Sequence, residues 1–220
     1  MVPAAVVAAW ESVRSVPAAA RPAALLRAFG QPPQPSVGRR EAALLAVYVE
    51  HFGVRLDGLA RCPRCATDVE LSVPVVELTS AMPPAAPVEP LVSGEVSVDW
   101  RLPHDDDLAA CVGAPDGATL LLQRCAPSCP PSLRAELAAR IAAADPYADI
   151  TFELVCPQCA CAWEAALAAA EFVWAQLRAH AQRLLREVDE LARAYGWSEQ
   201  QIFALSQQRR DSYLELVRGG

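Results

Sequence analysis

Residues 155–165 read Val-Cys-Pro-Gln-Cys-Ala-Cys-Ala-Trp-Glu-Ala, and residues 61–71 read Arg-Cys-Pro-Arg-Cys-Ala-Thr-Asp-Val-Glu-Leu. Both carry a Cys-Pro-x-Cys pair, a Glu five residues past the second Cys, and apolar residues around that Glu. They read as two copies of one device. A C-x-x-C pair bites a metal ion from a single tight turn. Two such pairs complete the tetrahedral thiolate set that suits Zn²⁺, with no position left open for a substrate. Cys62, Cys65, Cys156 and Cys159 are therefore the expected ligands of one structural zinc. Ala66 and Ala160 stand where glycine would ease a turn of positive φ. The gap between the pairs is far longer than the spacers of short zinc motifs. Everything between Cys65 and Cys156 then reads as an insertion in one closed unit. The rival is a redox dithiol, which belongs at a helix start; here strand-like residues 67–73 follow the first pair. Cys161 is close enough in sequence to replace a ligand. Cys111, Cys125 and Cys129 read as small buried apolar residues.

Working outward from the pairs, residues 150–154 alternate and deliver the second one, as residues 69–73 carry the first one onward. Residues 96–100 form another expected strand. Residues 81–90 are Pro-rich and read as loop. His104-Asp105-Asp106-Asp107 could suggest an acid/base or metal site. It reads better as the start of a helix near Leu108, capped by Asp105 or Asp106. Ser132 is the expected cap of a helix through Ala144. Upstream, residues 4–16, 21–29 and 41–52 read as helices with apolar faces and no chemistry on them.

The longest helical pattern runs from about Glu164 to Tyr195. Trp174, Leu177, Ala181, Leu184, Val188, Leu191 and Tyr195 recur at spacings of three and four, a seam over three heptads. It serves either the protein's own core or a partner helix. Gly196 is a natural residue to end it. Ser198 with Gln201 forms a capping box for a short helix, and Ser206 caps the last one. Arg209 and Arg210 are placed to bind acidic groups, on a partner or on the chain itself.

The chain has 220 residues, enough for a sizeable core in one domain or two small ones, and a formal net charge of −7. That acidity argues against nucleic-acid binding, which needs a basic face to release counterions. All 19 basic residues are Arg, a mark of codon composition and not of function. No run of about 18 apolar residues predicts a membrane span, and the first 16 residues lack the basic start of a signal peptide. Eight cysteines without a secretion signal fit metal ligands or free thiols in a cytoplasmic, reducing compartment. No phosphate loop, nucleophile elbow or clustered histidine set appears; the three His are scattered at 51, 104 and 180.

The tail, Leu191-Ala192-x-x-Tyr195-Gly196-Trp197-Ser198-Glu199-x-x-Ile202-x-x-Leu205-Ser206-x-x-Arg209-Arg210-x-x-Tyr213-Leu214-x-Leu216, resembles the C-terminal signature of the baseplate hub assembly proteins of T-even-type phages. Relatives of those proteins occur in the phage-tail-like contractile injection clusters of bacteria. The two Cys-Pro-x-Cys pairs, and Arg101-Leu102-Pro103 followed by Asp107-Leu108, extend the likeness; Asp189 and Phe203 depart from it. The resemblance implies an assembly factor or minor component of a contractile-tail baseplate. It would bind baseplate or hub subunits through Trp174, Leu177, Leu184, Val188, Leu191, Tyr195, Trp197, Arg209, Arg210 and Tyr213. No nucleic acid, membrane or small-molecule substrate is implied, and no enzymatic activity.

The expected fold is α+β and mostly helical, with a small zinc-ribbon-like β unit, a helical N-terminal region, a long C-terminal helix and a short helical tail. The expected divisions are 1–58 for the N-terminal helices, 59–163 for the ribbon-like unit with its inserted α/β segment, and 164–220 for the long helix and tail. The alternative function is a zinc-ribbon nucleic-acid-binding or regulatory protein.

Overall fold

A computed structural model describes residues 2–219. Its helices are α1 (Pro3–Arg14), α2 (Arg21–Ala28), α3 (Val37–His51), α4 (Val75–Ala81), α5 (Asp105–Cys111), α6 (Gly117–Cys125), α7 (Arg134–Ala144), α8 (Ala169–Tyr195), α9 (Glu199–Phe203) and α10 (Gln207–Gly219). Its strands are β1 (Arg55–Arg61), β2 (Asp68–Pro74), β3 (Leu91–Ser93), β4 (Val96–Val98), β5 (Thr151–Val155) and β6 (Ala162–Ala166). The strands form three separate antiparallel hairpins, β1–β2, β3–β4 and β5–β6. The class is α+β and mostly helical.

The main core lies between α8 and the N-terminal helices. Val6, Val7, Ala9 and Val13 of α1 are buried, as are Leu44, Leu45, Val47 and Tyr48 of α3. Facing them along α8 are Val173, Leu177, Ala181 and Leu184, none more than 1% exposed. These residues sit three and four apart, so one stripe of a 3.6-residue helix meets the bundle. Both ends of that arrangement are pinned by distant carboxylates. Glu41 on α3 accepts the Ala169 amide at the start of α8, at 3.1 Å. Asp145 accepts the Gly38 amide at 2.8 Å and the Ser36 hydroxyl at 3.0 Å, holding the start of α3. Free amides at a helix start need acceptors, and a carboxylate there also meets the positive end of the dipole.

The inserted segment has its own small core of Leu91, Val98, Trp100, Ala126, Leu137 and Ala144. Asp107, which is 1% exposed, ties it together. Its oxygens accept from Arg101 at 2.9 Å, from Arg124 at 2.8 Å and from the His104 amide at 2.9 Å. In the tail, α9 and α10 fold back on α8 over Leu191, Ile202 and Leu214. The Ser198–Gln201 box forms, and Gly196 takes φ +72° at the end of α8.

Several elements differ from expectation. α8 begins at Ala169 and not near Glu164, because residues 162–166 pair with β5 as the returning strand of a hairpin. β1, α4, β3 and α6 were not anticipated. Residue 58 falls inside β1 and residue 163 inside β6, so strands run across both expected divisions. The helix expected near Leu108 starts at Asp105 with His104 before it, and Asp107, not Asp105 or Asp106, turns back onto the His104 amide. Ser132 does not cap α7; Pro131–Leu133 form a tight turn and leave Leu133 at the cap position.

Candidate metal centre and tail surface

Each Cys-Pro-x-Cys pair is the turn of a hairpin. β1 ends at Arg61 and hands on to Cys62; β5 ends at Val155 and hands on to Cys156. The two turns have the same backbone bonds. The Ala66 amide donates to the Cys62 carbonyl, and the Ala160 amide to the Cys156 carbonyl, both at 2.9 Å. The Cys62 amide donates to the Thr67 carbonyl, and the Cys156 amide to the Cys161 carbonyl, again both at 2.9 Å. Ala66 and Ala160 take φ of 58° and 54°, the two non-glycine residues in the left-handed region among those described. The turn geometry therefore demands what the sequence supplies only at a cost, since a β-carbon crowds the carbonyl there.

The turns meet. The Sγ atoms of Cys62, Cys65, Cys156 and Cys159 all lie within 4.8 Å of one another. Cys65 Sγ is 3.5 Å from Cys156 Sγ, and Cys62 Sγ is 3.7 Å from Cys159 Sγ. A tetrahedron with metal–sulfur bonds of about 2.3 Å has edges of about 3.8 Å. The donor set fits one thiolate-bound cation. Cys62 and Cys156 are buried, Cys159 is half-buried and Cys65 is exposed.

The thiols are electrostatically unequal. The Thr67 hydroxyl, and after it the Thr67 amide, hold Cys65 down at about 6. The Cys65 amide pulls Cys62 below the usual thiol range, against burial and with help from the Arg64 amide. Cys159 is drawn down by the Cys161 amide but pushed up to about 12 by burial and by the three neighbouring thiols. Four thiolates this close repel unless a cation replaces their protons.

Of the other cysteines, Cys161 points to the Ala162 carbonyl at 3.7 Å and is outside the cluster. Cys125 is buried, and burial raises its thiol to about 11. Cys111 and Cys129 are half-buried. Sequence reasoning did not find Thr67 as the hydrogen-bond partner of Cys65; a hydroxyl two residues past a ligand was the available signal.

The expected partner-contact residues fall into two groups. Leu177, Leu184 and Leu191 are buried in the chain's own cores. Arg210 is also internal: its Nε donates to Glu187 at 3.3 Å, Nη1 donates to the Leu205 carbonyl at 2.9 Å, and Nη2 donates to Gln207. Trp174 lies beneath the Arg21 guanidinium, 5.3 Å from its ring centre. Val188 is half-buried, against the tail core. Tyr195 stacks on Trp197 with ring centres 4.6 Å apart, and Tyr213 meets Trp197 edge-on at 4.8 Å; Trp197 and Tyr213 are half-buried against the tail core. Tyr195 and Leu216 are exposed, as is Arg209. No family model, curated protein or solved structure matches the chain. Among the described residues no helix is long and apolar enough to cross a membrane.

Proposed function

We propose that the chain is a non-enzymatic assembly factor or minor component of a contractile, phage-tail-like baseplate. It acts by contact with baseplate or hub subunits and is braced by a structural zinc ion on Cys62, Cys65, Cys156 and Cys159, in a zinc-ribbon arrangement. The observation that carries the reading is the division of labour in the tail motif. Leu191, Ile202, Arg210 and Leu214 turn inward and fix α9 and α10 on α8. On that rigid base Tyr195 is exposed, and Trp197 and Tyr213 are half-buried, each packed on the core with part of its ring open to a partner. Aromatic side chains anchored on packed helices carry much of the energy of protein contacts. The four-thiolate set leaves no open coordination position, which favours bracing over catalysis. Free thiols throughout suit a cytoplasmic place, with later association with a tail-like particle. The alternative, nucleic-acid binding by the ribbon, meets exposed Asp57, Asp68, Glu70, Glu153 and Glu164 on the outer strand faces, which repel phosphate.

The test is co-expression with the hub and baseplate subunits encoded in the same gene cluster, with metal analysis of the purified protein. A stable complex that Trp197→Ala with Tyr213→Ala weakens at least ~10-fold is expected, that being about 1.4 kcal/mol. One zinc per chain is expected alongside it. Neighbouring genes without sheath, tube or spike, and no complex with any subunit, would refute the assembly role.

A further inference from the structure

Exposure is divided regularly among the four clustered cysteines. Cys62 and Cys156 are 2% and 1% exposed, whereas Cys65 is open and Cys159 partly so. The short sulfur contacts, Cys65 to Cys156 and Cys62 to Cys159, run between the hairpins. Each contact joins one accessible thiol to one shielded thiol of the other hairpin.

We propose that Cys65 and Cys159 are sites of modification by hydroperoxides, and that oxidation closes two disulfides across the hairpins, Cys65–Cys156 and Cys62–Cys159. The accessible sulfur loses its proton and attacks the peroxide as the thiolate. A sulfur–oxygen bond forms, the oxygen–oxygen bond breaks, and the leaving hydroxide takes a proton to become water. The shielded thiolate then attacks the sulfenic sulfur. The sulfur–sulfur bond forms and the second oxygen leaves as hydroxide, again protonated to water. Each pair of thiolates loses two electrons, and one hydrogen peroxide is reduced to two waters. Two rounds use all four sulfurs and free any cation they held. β1–β2 and β5–β6 share no strand hydrogen bonds, so the covalent bonds take over the junction where the ion was. The inference rests on the sulfur cluster alone and is independent of the assembly role.

The full chain, loaded with zinc, is treated with hydrogen peroxide. Remaining thiols are blocked with iodoacetamide, and tryptic peptides are mapped by mass spectrometry while a chromogenic chelator follows released metal. Cleavage after Arg64 separates Cys62 from Cys65, so peptides 62–64, 65–101 and 141–178 report the pairing. The expected product joins all three, with free thiols falling from eight to four. In Cys156→Ser the 62–64 peptide stays joined to 141–178, and Cys65 is trapped by dimedone as sulfenic acid. Peptide 62–64 joined to 65–101 with 141–178 separate, capture of Cys161, or four thiols untouched by excess peroxide would overturn the proposal. The wild-type map shows whether the bonds cross the hairpins, and Cys156→Ser shows which sulfurs pair: peptide 65–101 joined to 141–178 with 62–64 free in that variant would overturn the pairing. Were no zinc taken up, the same disulfides would still form, which separates failure of the metal assignment from failure of this one.

Discussion

Ala66 and Ala160 carry the clearest residue-level conflict in the molecule. Both sit in left-handed turns, where a β-carbon costs about 1–2 kcal/mol. Ala66→Gly and Ala160→Gly relieve that strain but loosen the unfolded chain. Each is expected to raise stability by about 0.5–1 kcal/mol, read as a higher urea midpoint with unchanged slope; a lower midpoint would mean the turns are relaxed as they stand. Asp107 is the opposite case, a buried carboxylate fully served by two guanidiniums and an amide. The Arg101 hydrogen bond, working against burial, holds its carboxyl well below the usual range. A group with a depressed folded pKa stabilises above its unfolded value, about 3.9 for Asp, and loses that contribution as pH falls through the folded value. Stability is therefore expected to drop below about pH 4. In Asp107→Asn it should be lower by about 2 kcal/mol at neutral pH, with a flatter acid limb in denaturation series.

At the level of elements, what the sequence disclosed depended on whether neighbours were needed to decide. The Cys-Pro-x-Cys turns, the Ser198 box and the Gly196 stop are local and were legible. So was the stripe of α8. β1 was not, because its inward positions are Leu56, Gly58 and Ala60, a weak apolar pattern. The structure supplies the reason: a β-carbon on Gly58 would lie 2.9 Å from the Phe172 ring on α8. The strand is small where the long helix is large. Residues 162–166 fit a helical pattern equally well, and only pairing with β5 makes them a strand. Ser132 lost its capping place because Pro131 begins a tight turn. Gly58→Ala is expected to cost about 1–3 kcal/mol by overpacking, and Phe172→Leu in the same chain should recover part of it in a double-mutant cycle. Full additivity would show that the two do not touch. Leu184→Ala should cost about 2–5 kcal/mol by thermal or urea unfolding, since Leu184 is 1% exposed in the main core.

For the whole molecule, the thiolate cluster and the helical core are separate supports. The core of α1, α2, α3 and α8 contains none of the four cysteines. If the cluster holds the proposed ion, its chelation is expected to leave most helical circular dichroism intact while amides of β1, β2, β5 and β6 lose exchange protection. Loss of helix together with hairpin protection would instead make the metal a condition of the entire fold. The cluster also depends on sequence distance, because its sulfur contacts join residues 97 and 91 positions apart. During synthesis at ~5–20 residues per second, Cys65 leaves the ribosome about 5–20 s before Cys156. For that interval the first knuckle has two sulfurs and no partner, and α1 and α3 have no α8 to cover their apolar faces. The nascent chain passes through its most vulnerable stage with both its cysteine cluster and its core half assembled, and the last third of the message relieves both at once.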